Sequence, residues 1–333
     1  MPGERAHPRL AMGLIFVGSL FATCAVLLPT VIVPHYKQLP SHVSQKATLI
    51  AQNATVLDSA SLASGLVEPE NNVPLRVDVS VKSGPPTDDQ SVTLIAAVRT
   101  TRTDRAEPVN VISAYVDQVT LDRKSAAPES NPTPLTIHEA SGVATKTPRT
   151  GYQYTFPLGV DRRDYPIYDS EARMTAPAKY VDDDRVVDGV QLFHFQQRIN
   201  ETNLHERLGD AASLEMPSRA WGTGSTTDTP VRMSLYYSVV RDLWIEPQTG
   251  MIVDQHQKIL RQLGNSTGFR VPSLQADLRF SDVTVASNAT EASRNVRLLF
   301  WGSIGAPVTL SVVGLALLGT GIFLGARARE RGK

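Results

Sequence analysis

Leu75-Arg76-Val77-Asp78-Val79-Ser80-Val81 places an apolar side chain at every second position, with polar ones between. Successive side chains of a strand point to opposite faces, so the run predicts a half-buried β-strand. The same period returns at Tyr152, Tyr154, Phe156 and Leu158, and at Val231, Met233, Leu235, Tyr237 and Val239. Two stretches alternate but slip once: Ile112, Ala114 and Val116 give way to Val119 and Leu121, and Leu278 and Phe280 to Val283 and Val285. A one-residue slip predicts a β-bulge, which a large curved antiparallel sheet needs in order to bend. Turn residues at Gly84–Asp89 and Glu246–Gly250 predict reversals between strands, and Ala126–Pro134 and Gly209–Pro230 read as irregular loops. Asn288-Ala289-Thr290-Glu291 has the form of a capping box, which predicts a helix starting there. The expected fold is a mainly β (α+β) domain built on one large curved antiparallel sheet.

Working outward, the ends change character. Leu10–Val33 contains no charged residue, and at 1.5 Å per residue forms a helix of about 36 Å, longer than a hydrocarbon core of about 30 Å. A cleaved signal peptide is the competing reading, since the preceding residues are basic. The run is too long for one and lacks a small-x-small cleavage site, and apolar residues continue past Cys24, where a lipoprotein turns polar. Leu298–Leu324 is likewise free of charge and is followed by Arg327, Arg329, Glu330, Arg331 and Lys333. Short basic flanks stay in the cytoplasm. The expected organisation is a cytoplasmic tail at 1–9, a transmembrane helix at 10–33, an extracytoplasmic domain at 35–297, a second transmembrane helix at 298–324 and a basic tail at 325–333. The protein is thus expected in the plasma membrane, with both termini cytoplasmic and the main domain periplasmic.

Charge and cysteine content narrow the chemistry. The chain has 33 basic and 33 acidic residues, and without the two tails 27 and 31 remain. The outer domain therefore offers no broad basic surface, and nucleic acid is not an expected partner. Its stability must come from its own core, because the single cysteine lies in the first apolar run. The seven histidines show no i, i+2 or i+4 pair, which argues against a metal site, and no P-loop, nucleophile elbow or dinucleotide fingerprint is present. Gly222-Thr223-Gly224-Ser225 lacks the lysine of a phosphate loop and reads as a flexible linker. Asp182, Asp183, Asp184 and Asp188 with Gly189 read as a solvated turn before a strand, because Val186 breaks the alternation a calcium loop requires. His194, between Phe193 and Phe195, reads as a hydrogen-bonded strand residue with no acid or nucleophile near it in sequence. The expectation is no enzyme, no cofactor and no metal.

Aromatic residues gather at Tyr154, Phe156, Tyr165, Tyr168, Tyr180, Phe193 and Phe195, with Trp244 following. They fit the filled core of a sheet, and the functional alternative is an apolar cavity for a lipid chain with Phe156, Tyr165, Tyr168, Phe193, Phe195 and Trp244 as its lining. In the second apolar run Gly321 and Gly325 have the spacing that lets helices approach closely.

Tyr154-x-Phe156-Pro157, Tyr165-x-x-Tyr168-Asp169, Tyr180, Gly189 with Phe193-x-Phe195, and Trp244-x-Glu246-Pro247-x-Thr249-Gly250 occur in this order between the two apolar ends. With Val56-Leu57-Asp58, Val119-x-Leu121-Asp122-Arg123 and Leu28-Pro29, the combination resembles an actinobacterial family of two-span envelope proteins, the PorA-like porins. It is also similar to the mycobacterial polar growth factor A proteins. That second resemblance implies a role in polar growth and in moving trehalose monomycolate beside a large RND-type lipid exporter. Outer-membrane pores span as closed barrels or oligomeric helices, so two fully apolar runs favour the second implication over the first. The expected function is a periplasmic lipid-handling factor binding a mycolate glycolipid near its exporter. The alternatives are a scaffold or regulator of the cell-elongation machinery and, further off, an envelope enzyme.

Overall fold

A computed structural model describes residues 8–58, 62–139, 142–222 and 228–330. Residues 1–7 of the first expected tail and 331–333 of the second fall outside these residues, as does the Thr223–Ser225 part of the linker. The chain divides into two compact units, one of residues Met1–Gln38 and Arg294–Lys333, the other of Leu39–Ser293.

The second unit is mainly β, as the alternation predicts. It holds a 13-stranded antiparallel sheet with the order β6-β5-β4-β3-β2-β1-β13-β12-β11-β9-β8-β7, and β10 added to β11. The strands are β1 (Ser44–Val56), β2 (Glu70–Thr87), β3 (Ser91–Arg102), β4 (Val111–Asp122), β5 (Leu135–His138), β6 (Ala144–Lys146) and β7 (Tyr165–Asp169). There follow β8 (Met174–Val187), β9 (Val190–Asn203), β10 (Ser213–Pro217), β11 (Pro230–Ile245), β12 (Ile252–Gly264) and β13 (Arg270–Phe280). Two sequential meanders, β1–β6 and β7–β13, meet where β1 pairs with β13, with Leu49 opposite Phe280 and Val56 opposite Leu274. Leu75–Val81 lies in β2, with Leu75 fully buried, and Val231–Val239 lies in β11.

Several local expectations are corrected. The slip near Val116 is no bulge: β4 pairs with β3 in continuous register from Ser113 to Asp122, its one shift lying earlier, at Ile112, and the inward position is Asp117, with Val116 facing out. The slip after Phe280 marks the end of β13, and a helix starts at Asp282. Its start is supported by Ser281, whose hydroxyl accepts from the Thr284 N–H at 3.3 Å, so Asn288 lies inside the helix and donates instead to the Ile252 carbonyl at 3.2 Å. Tyr152–Leu158 is irregular; Tyr154 has φ 67°, and Tyr152 makes only an isolated bridge to Ile167. Gly209–Pro230 contains β10 and the buried Trp221. The turn expected over Asp182–Gly189 is confined to Asp188-Gly189, which closes a two-residue hairpin with φ 48° and 78°, while Asp182, Asp183 and Asp184 lie in β8; the turn at Glu246–Gly250 is present.

The segment after β6 draws the two ends of the sheet together. Thr147 N–H donates to the Pro134 carbonyl beside β5, and Tyr152 exchanges backbone hydrogen bonds with Pro166 and Tyr168 of β7. Arg149 within this segment makes two bonds to Asp117 of β4, at 2.7 and 2.8 Å, while its guanidinium lies 4.5 Å from the Tyr168 ring centre.

In the first unit, two helices are long and apolar enough to cross a membrane, Arg9–His35 and Asp282–Glu330. The part of the second up to Ser293 belongs to the sheet unit. Each carries one π-helical turn, Leu28–Ile32 holding Pro29 and Trp301–Gly305 just ahead of Pro307. A proline leaves the carbonyl four residues back without its N–H donor, and a widened turn accommodates the gap. The two helices approach closely at glycines. A Cβ on Gly18 would lie 2.9 Å from the Gly314 carbonyl, and one on Gly321 would lie 3.0 Å from that of Ala11. Gly325 only grazes the contact, 4.0 Å from the Ala11 Cβ. That separation suits a disulfide. In a Cys24→Ser background, Ala11→Cys with Gly325→Cys is expected to crosslink on mild oxidation, and adding Gly18→Leu is expected to abolish the crosslink. An unchanged crosslink yield after Gly18→Leu would show that the glycine approach does not hold the pair together.

Candidate functional site

Three of the six aromatic residues proposed as a cavity lining pack against one another. Phe156, Tyr165 and Phe195 are buried, with ring centres 5.2–5.7 Å apart, among Val160, Ile167, Leu243 and Ile245. Edge and tilted contacts at these distances are those of a filled core. Tyr168 lies under Arg149, and Phe193 lies against Tyr180 and under Arg162. Trp244 stands apart, on the opposite face of the sheet, stacked on His194 at 4.8 Å and with the Arg185 guanidinium 4.5 Å from its ring centre.

The interior of the sheet unit is closed by buried polar groups that the periodicity does not reveal. Asp117 takes up the Arg149 pair, the Thr136 hydroxyl at 2.8 Å and the Tyr154 hydroxyl at 2.7 Å. Burial first, and then the Asp117 charge, pushes the Tyr154 hydroxyl well above its ordinary value, so it remains a donor. Asp169 accepts from the Tyr237 hydroxyl at 3.0 Å and from Arg241 at 2.9 Å; Arg241 also reaches the Gln197 side-chain carbonyl at 2.6 Å. Burial pushes Tyr115, beside these groups, up to about 12.

The opposite face carries the chemistry open to solvent. The helix from Asp282 buries Ala289 and Ala292 on Val190, Leu192 and Val253 of this face. Beside its first turn lies a cleft of about 400 Å³, lined by Arg185, Trp244, His256, Arg279, Phe280 and Asp282 among others. Arg185 is paired with Asp254 at 2.6 Å. Across five neighbouring strands, acids and imidazoles alternate. Asp182 of β8 meets His194 of β9 at 3.2 Å, and His194 meets Asp242 of β11 at 2.9 Å. His256 of β12 lies 4.0 Å from Asp242 and 2.6 Å from Asp277 of β13, which also takes Arg279 at 3.2 Å. Burial works against the Asp277 charge, yet its bonds from Arg279 and His256 hold the carboxyl below the usual range. Among the described residues no group of three or more His, Cys, Asp or Glu is placed to hold a metal ion.

His194 and Asp182 are the members of this row singled out by sequence, though not as partners, and Asp242, His256 and Asp277 are missed. They lie far apart along the chain, and only strand register brings them level: Asp242 opposite His256, and Trp244 opposite His194.

A family model described as Porin PorA matches residues 10–323. A Porin PorA of Corynebacterium resistens is 31% identical over 310 aligned positions, covering 74% of this chain and 75% of the relative. One of Corynebacterium amycolatum is 29% identical over 295 positions, again covering 74% and 75%. The matches correct the functional expectation. They name a porin, and with it fall the readings of a trehalose monomycolate carrier, of lipid binding and transport, of mycolic acid and polar growth, and of an elongation scaffold. The glycolipid and the RND-type exporter go with them as partners. The expectation sets the porin resemblance aside because two fully apolar runs predict helices and not a closed barrel, and the matches overturn that step.

Proposed function

This chain belongs to the PorA porin family, and from that premise we propose that it is a channel-forming protein of the cell envelope, not an enzyme, whose pore is assembled from the terminal helices of several copies. Both helices cross the bilayer in this reading, with the sheet unit on the side away from the basic residues that follow Leu324. The observation that carries the assembly is the division of labour between the two units. A sheet can cross a membrane only as a closed barrel, whereas a helix satisfies its own backbone. Here the strand order ends at β6 and β7, and the interior between them is filled by Phe156, Tyr165, Phe195 and the Asp117–Arg149 pair. The helices leave Met12, Phe16, Val312, Leu315 and Phe323 more than half exposed on one copy. Two helices in direct contact enclose no lumen, so passage requires further copies. The full-length protein, reconstituted in planar bilayers, is expected to give stepwise conductance. Single-molecule bleaching of labelled complexes is expected to count several chains in each. Absence of steps at every protein density rules out the channel, while steps from complexes that bleach once rule out the assembly.

A further inference from the structure

The row Asp182, His194, Asp242, His256, Asp277 has a hydrogen-bonding requirement that sets its protonation state. Both ring nitrogens of His194 face carboxylate oxygens, Nδ1 at 3.2 Å from Asp182 and Nε2 at 2.9 Å from Asp242. An ionised carboxylate only accepts hydrogen bonds, and a neutral imidazole has a single N–H. A neutral ring therefore bonds to one neighbour and turns a lone pair toward the other. Only the imidazolium bonds to both. His256 is bonded on one side only, with Nε2 at 2.6 Å from Asp277; its Nδ1 lies 4.0 Å from Asp242, an ion-pair distance beyond hydrogen-bond reach, so the two-sided requirement belongs to His194. Gln196 adds a neutral donor to Asp242 at 2.9 Å.

Around His194 the facing groups are Asp182 on β8, Asp242 on β11 and the Trp244 ring stacked upon it. Around His256 they are Asp242 on β11 and, on β13, Asp277 and Arg279, the latter directly opposite in register. The same cleft also holds Asp282 of the packed helix, Asp188 of the β8–β9 turn, and Arg185 of β8 paired with Asp254 of β12. Carboxylates outnumber cations around both rings, and both are largely withdrawn from solvent, with side chains 15% and 18% exposed.

We propose that this row is a proton-operated clamp: His194, carrying two ring protons, ties β8, β9 and β11 together across one face of the sheet, His256 extends the row to β12 and β13 through its bond to Asp277, and loss of the second His194 proton releases one of its ties. The sign follows from which form is bonded. The link is fully present while the His194 ring carries both protons, and it is lost when rising pH removes one of them. At the acid end it persists until the carboxylates protonate. The clamp does not depend on the pore, because every member lies within the sheet unit.

The test is the melting temperature of the full-length protein in detergent between pH 5.5 and 8.5. The wild type is expected to lose roughly 2–4 °C for each imidazolium link released as pH rises. His194→Gln with His256→Gln is expected to flatten the profile over this interval. Asp182→Asn removes one partner at the half-exposed end of the row, where folding is least at risk, and is expected to cut the slope by about half. A wild-type profile that is flat or rises with pH overturns the clamp. So does a slope left unchanged by Asp182→Asn, whether or not the double variant folds.

Discussion

Asp117→Ala is expected to destabilise the sheet unit by about 3–5 kcal/mol, read as a loss of unfolding free energy in denaturant titrations of the detergent-solubilised protein. Both side chains of the Asp117–Arg149 pair are wholly removed from solvent. Taking away the carboxylate leaves the guanidinium buried with Gln153 as its nearest side-chain partner at 2.5 Å, and strips the Tyr154 hydroxyl and the Thr136 hydroxyl of the same acceptor. An uncompensated buried charge costs far more than the pair contributes. Removing both partners together, as Asp117→Val with Arg149→Met, is therefore expected to cost less than the single substitution. Equal losses from the single and double variants would mean that packing, not charge, decides the site. A loss below about 1 kcal/mol from Asp117→Ala would mean that water reaches Arg149.

Phe195→Ala is the second large effect, at about 3–5 kcal/mol. Its ring is fully buried and touches Phe156, Tyr165 and Tyr180, so truncation removes contacts on several sides and leaves a void that the surrounding strands cannot collapse to fill. Trp244→Ala, on the half-buried cleft face, is expected to cost less, because one side of the indole already borders open space. The pair of measurements separates a filled interior from a hollow one. A cost at Phe195 no greater than that at Trp244 would mean the aromatic cluster lines a space instead of filling it.

Sequence made the strands legible wherever one face is apolar. Leu75–Val81 and Val231–Val239 are both in the sheet, because period-two alternation is a direct consequence of burying one face. It failed where the buried residue is charged. At β4 the inward Asp117 looks like an interruption between Val116 and Val119, and alternation alone converts a buried ion pair into an apparent bulge. It failed again at Phe280, where apolar residues continue but the period changes from strand to helix within two positions, and at Tyr152–Leu158. There the alternating aromatics belong to a connector that reaches the core from several directions. The site was less legible still. His194 reads as a strand residue with hydrogen-bond partners, but its partners on β8 and β11 are set by pairing between distant segments. Register is a long-range property, and no local spacing reports it.

The strand order also dictates how the chain can assemble. Each meander pairs neighbours that are close in sequence, so β2 through β6 and β7 through β12 can zip locally and quickly as each hairpin forms. The β1–β13 seam is different: it joins the first strand to the last, and no part of it can form until nearly the whole unit has been synthesised. Until then β1 has a partner on one side only, in β2, and its other edge is open. Such an edge is a template for pairing with another chain. The interval between the emergence of β1 and the arrival of β13 is thus the stage at which the nascent chain is most exposed to misassembly, and β13 is the strand whose arrival ends it.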